Sequence, residues 1–305
     1  MAVKIANLDI VITRSCQLNC DGCLTFSNHN KVKGHTNLAT AIPWLEFWAQ
    51  QLEPTTIHLF GGEPLMHPDF PNWVKTVSKL FSRSKNTIKP INIQTNGIKI
   101  RSLDYDTLVE LIQVYHLNIS ISIHSKEEWY QTEINSAIQL LESILVNGKW
   151  TIVNATERVY NSSSGTFRVI DHSSDDVDRA WTGHYEGHGV TLKPALDFDH
   201  VNYVGHHGYC EAKEYIQLYN GALYKCPTMG VLADTLATYN YPNKELWEPW
   251  LQYKSLGYNA TVEEIADWLT VQAGPEKYCN MCFGAKPAIK IHTLKERTKE
   301  DTSGT

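Results

Sequence analysis

The run TRSCQLNCDGCLTF, residues 13–26, carries three cysteines in a CxxxCxxC spacing: Cys16, Cys20 and Cys23. It directly follows Leu8–Arg14, an apolar and β-branched stretch that predicts a strand. Thiolate ligands select iron–sulfur clusters or zinc over hard cations. Three thiolates on one short loop can hold three corners of a four-iron cluster. The remaining iron then lacks a protein ligand and can bind a substrate or cofactor, which an electron carrier with four cysteine ligands cannot do.

A structural zinc site is the main alternative for this loop. Such sites usually combine two CxxC-type halves into four ligands, and no fourth cysteine follows nearby. Disulfides are not expected, because the N-terminus runs straight into a strand rather than forming a secretory segment. The open iron–sulfur cluster is therefore the favoured interpretation.

Composition limits the class of protein. The chain has 305 residues, of which 42% are hydrophobic and 20% charged, and its net charge is −6. These values are ordinary for a globular protein that is large enough for one α/β domain and a small appendage. The acidic balance argues against nucleic acid as the main partner. No apolar run reaches the roughly 20 residues that span a bilayer, so we expect a cytoplasmic protein without a membrane partner.

Strand-like and helix-like segments alternate through the first half of the chain. The predicted strands are Leu8–Thr13, Thr56–Phe60, Ile91–Gln94, Leu117–Ile123 and Trp150–Asn154. The predicted helices are Leu38–Leu52, Asn72–Phe81, Tyr105–Tyr115 and Glu127–Val146. Repeated β-then-α units predict right-handed crossovers and a parallel sheet, either open or curled into a barrel. Functional residues are expected on the loops that follow the strands, where the cysteine loop lies.

The pattern changes in the second half. Residues 157–189 are irregular, with a short strand candidate at Phe167–Ile170, and Val190–Pro194 is the candidate sixth strand. Asn220-Gly221 separates Tyr215–Tyr219 from Ala222–Lys225, which predicts a β-hairpin. Helices are predicted at Lys244–Lys254 and Val262–Val271. We expect a first domain at residues 1–204, a small module at 205–290 and a polar, disordered tail at 291–305.

A second motif, Gly61-Gly62-Glu63-Pro64, directly follows the second predicted strand. Two glycines at a strand end allow a sharp turn and a close approach of the backbone to a ligand. Exposed carbonyls there, together with the Glu63 carboxylate, could receive an ammonium group. A simple tight turn is the alternative interpretation.

Taken together, CxxxCxxC and GGEP resemble the radical S-adenosylmethionine (radical SAM) superfamily. The resemblance implies a partial (β/α)6 barrel over about residues 5–200. It also implies a 4Fe–4S cluster on Cys16, Cys20 and Cys23 whose open iron binds S-adenosylmethionine, with Gly61, Gly62, Glu63 and Pro64 at the methionine amino group.

Further cofactor-binding candidates follow from the same resemblance. They are Gln94 and Asn96 in QTNG, Ser122 and His124 in SISIHS, Asn154, and Arg158 for the methionine carboxylate, with Arg168 as its alternative. The sequence departs from the family at Gly22, where an aromatic residue often packs near adenine. Phe26 is the expected replacement.

The other four cysteines form a second set. Cys210 and Cys226 follow a C-x10-G-x4-C pattern with Gly221, and Cys279 and Cys282 form a CxxC pair. This set resembles the twitch or SPASM-like extensions of radical SAM enzymes, which implies one auxiliary 4Fe–4S cluster. A four-cysteine zinc ribbon is the alternative.

The implied activity is reductive cleavage of S-adenosylmethionine to a 5′-deoxyadenosyl radical, which then abstracts a hydrogen atom from a small polar, sugar- or nucleoside-like metabolite. The two clusters use all seven cysteines, and the auxiliary one gives the substrate radical an electron acceptor, so net oxidation is expected. A flavodoxin or ferredoxin is the expected reductant. A peptide- or protein-modifying radical SAM enzyme is one alternative, and a non-catalytic zinc or iron–sulfur scaffold is another. No catalytic side chain is assigned.

Overall fold

A computed structural model of the chain describes residues 2–20, 23–82, 88–173, 185–187, 189–194, 197–199, 203–208 and 210–281. The strands are β1 (Val3–Thr13), β2 (Leu52–Gly61), β3 (Ile91–Thr95), β4 (Leu117–Ile123), β5 (Lys149–Asn154), β6 (Glu157–Ser162), β7 (Gly165–Asp171), β8 (Tyr185–Glu186), β9 (Lys193–Pro194), β10 (Tyr215–Tyr219) and β11 (Ala222–Tyr224). The helices are α1 (Leu38–Gln51), α2 (Phe70–Leu80), α3 (Tyr105–Gln113), α4 (Glu128–Ile144), α5 (Tyr203–Gly208), α6 (Pro227–Thr238), α7 (Glu248–Leu251) and α8 (Val262–Ala273).

Nine of the strands form one sheet in the order β11-β10-β1-β2-β3-β4-β7-β6-β5. The six central strands, from β10 to β7, are all parallel, and the outer ones are antiparallel. The mixed α/β architecture with a parallel sheet is confirmed, and it matches the partial barrel of the radical SAM fold. The four predicted β-then-α units are present as β1-α1, β2-α2, β3-α3 and β4-α4.

The main hydrophobic core lies between the sheet and helices α1 to α4. Alternate strand residues such as Leu8, Ile10 and Ile57 are fully buried there. They pack with helix residues that recur at helical spacing, including Trp48 and Trp73, because each helix turns one apolar stripe toward the sheet. The same alternation sends the intervening strand residues to the opposite face of the sheet.

That opposite face is largely polar. Register places the side chains of its members on the same side, and we call this set the polar face: Asp9, His58, Asn92, Gln94, Asn118, Ser120, Ser122, Arg168 and Gln217. Most of these side chains are uncharged amides or hydroxyls, and both members of the Asp9–Gln217 pair are buried. The sheet therefore separates an apolar core from a surface of hydrogen-bonding groups.

A second core covers part of this face next to β1. It joins Val11 and Phe26 from the first part of the chain to Tyr219, Val231 and other residues of the C-terminal part. The buried Arg14 side chain also crosses between the two parts: it donates to the Thr25 carbonyl (3.1 Å) and to Thr235 Oγ1 of α6 (2.7 Å). Because β10 also pairs with β1 in the same sheet, the boundary at 204/205 stays a prediction.

The prediction for the fifth parallel strand was wrong. The segment around Trp150–Asn154 does form a strand, β5, but it pairs antiparallel to β6 at the edge of the sheet. Only two residues separate β5 from β6, and a turn that short cannot make the long crossover that a parallel pair needs. The fifth parallel position belongs to β7, which contains the candidate Phe167–Ile170 and pairs with β4.

Two further predictions also need correction. Within Val190–Pro194 only Lys193–Pro194 is a strand, and it pairs with β8 outside the main sheet. The sixth parallel strand is β10, the first strand of the predicted hairpin. The helix predicted at Lys244–Lys254 is a 3-10 turn followed by the short α7, with Pro249 in its first turn, where the missing N–H costs least. The predicted tail at 291–305 lies outside the described residues. Among the residues that the structure describes, no helix is long and apolar enough to cross a membrane.

Candidate functional site

The cysteine loop begins at the end of β1, where main-chain hydrogen bonds join it to the GGEP segment. Gly62 N–H donates to the Thr13 carbonyl (3.0 Å), and Glu63 N–H donates to the Ser15 carbonyl (2.8 Å). From the other side, Arg14 N–H donates to the Gly34 carbonyl (2.9 Å). The two motifs are thus one structural unit, at the edge of the sheet where the parallel strands end.

Close packing explains the two glycines. A Cβ atom at Gly61 would lie 2.2 Å from the Thr13 carbonyl oxygen, and one at Gly62 would lie 2.4 Å from the Ser15 carbonyl oxygen. Real Cβ atoms do not approach oxygen so closely, so a side chain at either position would push the cysteine loop away. The lack of a side chain at Gly61 and Gly62 is therefore what allows the two loops to contact each other.

The Glu63 carboxylate is buried and occupied by protein donors. It accepts from Leu65 N–H (3.0 Å), from Thr95 Oγ1–H (2.7 Å) and from Asn96 N–H (2.8 Å). Burial raises the pKa of Glu63 to about 7, and the three hydrogen bonds oppose that rise. This geometry makes Glu63 a link between the loops after β2 and β3, which leaves the main-chain carbonyls of the segment as the groups for an ammonium ligand.

Asn96 supports the cysteine loop directly. Its Nδ2–H donates to Cys16 Sγ at 3.9 Å, and its Oδ1 accepts from Gln17 Nε2–H at 2.8 Å. Leu18 N–H also donates to Cys16 Sγ, at 3.4 Å. N–H···S contacts to a ligand sulfur are one of the means by which proteins tune iron–sulfur clusters.

The three thiols of the loop are half-buried, and they influence each other. Burial raises the pKa of the Cys16 thiol well above its usual value, and the nearby charges of Glu63, Cys23 and Cys20 raise it further. A thiol in this setting ionises only when positive charge arrives, which an iron cluster supplies. By donor type and by the N–H···S contacts, the loop fits the predicted cluster.

Gln94 and Ser122 meet on the polar face. Gln94 Nε2–H donates to Ser122 Oγ at 2.8 Å, so the two side chains join β3 to β4 near the carboxyl ends of the strands. His124 follows β4, and its ring stacks on the ring of His172 with centroids 5.6 Å apart. These candidates lie on neighbouring strands at the same end of the sheet as the cysteine loop.

Asn154 and Arg158 lie elsewhere. Asn154 is exposed at the end of β5, and Arg158 stacks over the Trp150 ring at 4.6 Å. Register pairs Arg158 with Val169, whose side chain belongs to the core, so Arg158 is on the helix side of the sheet. Arg168, the alternative, is on the polar face and forms an ion pair with Glu157 at 3.2 Å. The assignment of Arg158 to the methionine carboxylate stays a prediction, and this placement favours Arg168 for that role.

The structure contradicts the proposed role of Phe26. This side chain is fully buried and stacks on Tyr185 with ring centroids 4.5 Å apart. Tyr185 Oη–H donates to the Cys23 carbonyl (3.1 Å), which ties the stacked pair to the cysteine loop. Phe26 is a packing residue of the second core, with no ring face exposed for an adenine base.

The second cysteine set assembles beside the hairpin of β10 and β11. Cys210, Cys226 and Cys279 are close enough to influence each other, and Cys282 lies outside the described residues. Burial raises the pKa of Cys226 to about 12, while the Met229 N–H and the Lys225 charge lower it. β10 runs parallel to β1 and Cys226 follows β11, so this set lies near the amino-terminal end of β10, which is level with Asn7 in the middle of β1. Thr228, two residues after Cys226, donates to the Leu24 carbonyl of the cysteine loop (3.0 Å).

Within the described parts of the chain, no three His, Cys, Asp or Glu side chains converge tightly enough to hold a single metal ion. The second cysteine set fits a cluster by its donor type, because the thiols of Cys210, Cys226 and Cys279 lie near one another and near the buried Lys225 ammonium.

Sequence reasoning missed a polar chain across three strands. Gln217 Nε2–H donates to Asp9 Oδ2 (2.7 Å), and Asp9 Oδ1 lies 2.9 Å from His58 Nδ1. A signal was present, because Asp9 interrupts an otherwise apolar strand, and a buried carboxylate requires partners. Sequence reasoning also missed Lys225, which directly precedes the predicted cluster ligand Cys226.

Comparisons with known proteins find one matching family and one curated relative for part of the chain. The family model for the radical SAM superfamily matches residues 10–145. One curated relative, a probable GTP 3′,8-cyclase of Methanococcus aeolicus, is 33% identical over 95 residues. That match covers 31% of this chain and 30% of the relative, so the chain matches less than a third of the relative's length.

Solved structures give weaker likenesses. BtrN in complex with AdoMet and 2-DOIA is 13% identical, covers 97% of this chain and 99% of its own, and has a TM-score of 0.47. The enzyme anSMEcpe with bound AdoMet and the Cp18Cys peptide is 13% identical over 46% of this chain and 40% of its own, with a TM-score of 0.35.

Proposed function

We propose that this chain is an enzyme of the radical SAM class, whose family model matches residues 10–145, and that it abstracts a hydrogen atom from a small polar metabolite, sugar- or nucleoside-like, and oxidises it through an auxiliary 4Fe–4S cluster. The polar face carries the proposal for the substrate, because it presents hydrogen-bonding groups beside the candidate cofactor site. We also propose a cytoplasmic location and a flavodoxin or ferredoxin as the reductant.

We assign the first cluster to Cys16, Cys20 and Cys23, and S-adenosylmethionine to the carbonyls of the GGEP segment, Gln94, Ser122 and His124. When bound, the cluster supplies the electron that cleaves S-adenosylmethionine to the 5′-deoxyadenosyl radical. The protein residues keep the loop in place: Asn96 and Leu18 donate to the Cys16 sulfur, and Glu63 fixes the neighbouring loop. Placement of the reacting carbon close to the cofactor is the main contribution of such a scaffold.

Hydrogen bonding on the polar face favours a hydroxylated substrate. Asn118 and Ser120 are half-buried, so a ligand that covers them must satisfy their amide and hydroxyl groups. An apolar ligand would leave these groups unpaired, at a cost of about 1–3 kcal/mol each. The ordered Gln217–Asp9–His58 chain adds a carboxylate-held imidazole that can bind or deprotonate a substrate hydroxyl.

The position of the second cysteine set supports net oxidation. Thr228, two residues after Cys226, donates its Oγ1–H to the carbonyl of Leu24, the residue after Cys23 (3.0 Å). Cys226 also packs against the second core, which covers part of the polar face next to β1. A substrate radical on that face would therefore have an electron acceptor nearby.

The test is anaerobic reconstitution of the full chain, followed by iron analysis and a turnover assay. We expect about eight irons per chain, from two four-iron clusters. With dithionite and S-adenosylmethionine, a panel of sugars and nucleosides should include one that stimulates 5′-deoxyadenosine formation and loses two hydrogens by mass. Stoichiometric zinc in place of iron, or stimulation by peptides alone, would refute the proposal.

A matched pair of variants tests the polar face itself. Asn118→Leu removes one amide from the polar face, whereas Asn161→Leu makes the same change on the exposed β6. We expect Asn118→Leu to raise KM of the stimulating compound about tenfold, the equivalent of one lost hydrogen bond, with SAM cleavage in its absence unchanged. Equal effects of the two variants would show that this face does not bind the substrate.

A further inference from the structure

Lys225 is a buried lysine at the second cysteine set. It directly precedes Cys226, and its side chain is only 6% exposed. An ammonium group buried to this extent is costly unless nearby acceptors replace its water. Its partners therefore show what the structure uses it for.

The ammonium group has two hydrogen-bond acceptors and one ion-pair partner. Nζ–H donates to the Gln272 carbonyl (2.5 Å) and to the Gly274 carbonyl (2.6 Å). It also forms an ion pair with Glu276 Oε2 at 3.0 Å. Two of the three N–H donors of the lysine are thus used in hydrogen bonds, and the carboxylate balances the charge.

All three partners belong to one short segment, residues 272–276, which leads directly to Cys279. Cys226 and Cys279 are distant in sequence: Cys226 follows the hairpin, whereas Cys279 follows α8. The Lys225 side chain connects the residue beside one thiol to the segment that carries the other. Glu276 carbonyl also accepts from Cys279 N–H (2.8 Å), so the held segment is continuous with the second thiol.

A tyrosine strengthens the same connection. Lys225 N–H donates to Tyr253 Oη (3.0 Å), and the Tyr253 ring lies edge-on to Tyr278, with centroids 5.2 Å apart. Tyr278 is the residue before Cys279. Lys225 is thus joined to the chain before Cys279 twice, once through its side chain to residues 272–276 and once through Tyr253 to Tyr278.

We propose that Lys225 is a positioning residue for the auxiliary cluster: it holds Cys226 and Cys279 at the spacing that the cluster requires, and its charge stabilises the reduced cluster. This inference rests on the proposed function only in assuming an auxiliary cluster. Four thiolates leave a four-iron cluster with net negative charge, and reduction adds one more negative charge. A buried cation nearby favours the reduced form and so raises the reduction potential.

Lys225 and Glu276 should then act in opposite directions. Lys225→Met removes the positive charge and the clamp, and we expect it to lose about four of eight irons and to shift any remaining auxiliary signal to a more negative potential. Glu276→Gln removes a negative charge but keeps an acceptor, so it should retain the iron and shift the potential to a more positive value. A purely structural lysine would not produce shifts of opposite sign.

The measurements are iron per chain, electron paramagnetic resonance of the reduced protein and a redox titration, all on the reconstituted full chain. Lys213→Met is the matched control, since it makes the same change at an exposed lysine three residues after Cys210. Correct folding of each variant is checked by the first cluster, which should still bind about four irons and cleave S-adenosylmethionine.

The outcomes separate the two proposals. If the wild-type protein binds only four irons, the auxiliary cluster of the proposed function is refuted. If it binds eight, and Lys225→Met also binds eight with an unchanged potential, only the role of Lys225 is refuted. Iron loss or a negative shift in Lys225→Met, with Lys213→Met like the wild-type protein, supports the inference.

Discussion

The two cysteine sets are held by buried charges of opposite sign. The first lies on one loop, Cys16 to Cys23, and the Glu63 carboxylate fixes the segment beside it through three donors. The second extends from Cys210 to Cys282, and the Lys225 ammonium joins its parts through two carbonyl acceptors and one carboxylate. A short loop needs only its neighbour to be fixed, whereas a dispersed set needs a side chain that connects distant segments.

The largest expected effect separates the two sets by function. Cys20→Ala removes a ligand of the first cluster, so we expect the loss of about four irons and a drop in 5′-deoxyadenosine formation of at least about 100-fold. The assay is dithionite-driven cleavage of S-adenosylmethionine, followed by chromatography. Cys226→Ala is the matched control: it should lose the other irons and keep this cleavage. An unchanged rate in Cys20→Ala would refute the first cluster.

The second prediction concerns Glu63. Its pKa of about 7 in the folded protein exceeds the ordinary 4.5, so the folded protein binds this proton more tightly than the unfolded chain does. Its contribution to stability is present below about pH 4.5 and is lost as pH rises through 7, with a full size of about 3 kcal/mol. The measurement is urea unfolding of the iron-free protein between pH 5 and pH 8. Over this range, the free energy of unfolding should fall by up to about 3 kcal/mol more in the wild-type protein than in Glu63→Gln. Equal pH dependence in the two would contradict the assignment.

A third prediction tests whether the two regions unfold together. Trp48 of α1 donates its Nε1–H to the Gly221 carbonyl in the hairpin turn at 3.0 Å, and the bond is buried. Trp48→Phe leaves that carbonyl without its donor, so we expect a loss of about 1–3 kcal/mol. Circular dichroism and tryptophan fluorescence should show one transition at a lower urea midpoint. Separate transitions for the two signals would mean that the C-terminal region unfolds on its own.

The smallest effect is expected at Arg158. Its guanidinium stacks on Trp150 at the edge of the sheet, and exposed cation–π pairs contribute about 0.5–1 kcal/mol. Arg158→Ala should lower stability by that amount and leave S-adenosylmethionine affinity of the reconstituted protein unchanged in calorimetry. Arg168→Ala, on the polar face, should weaken that affinity. If Arg158→Ala weakened it instead, the placement of the two arginines relative to the site would be wrong.

Local features were predictable from the sequence. The CxxxCxxC loop, the GGEP segment and the alternation of Leu8, Ile10 and neighbouring residues depend on short spacings, and the structure places them as expected at one end of a parallel sheet. The Asn220-Gly221 hairpin belongs to the same category. In each case the deciding interactions involve residues that are close in sequence.

Pairing and register between distant strands were not predictable. Trp150–Asn154 has a strand-like composition, but the two-residue turns around β6 decide that it pairs antiparallel at the edge. The choice between Arg158 and Arg168 depends on which residue pairs with Val169, since adjacent positions point to opposite faces. The acceptors of Lys225 lie about 50 positions along the chain, and no local pattern indicates them.

The insertion of β10 beside β1 has a consequence for synthesis of the protein. Until β10 pairs with it, β1 is an edge strand of the parallel sheet, with unpaired main-chain groups on one side. Thr13 and Tyr215 are separated by about 200 residues, which a ribosome adds in roughly 10–40 s. During that time the apolar strand that leads to the cysteine loop is open to wrong partners. Protection of the nascent chain by a chaperone would therefore matter most before the hairpin emerges.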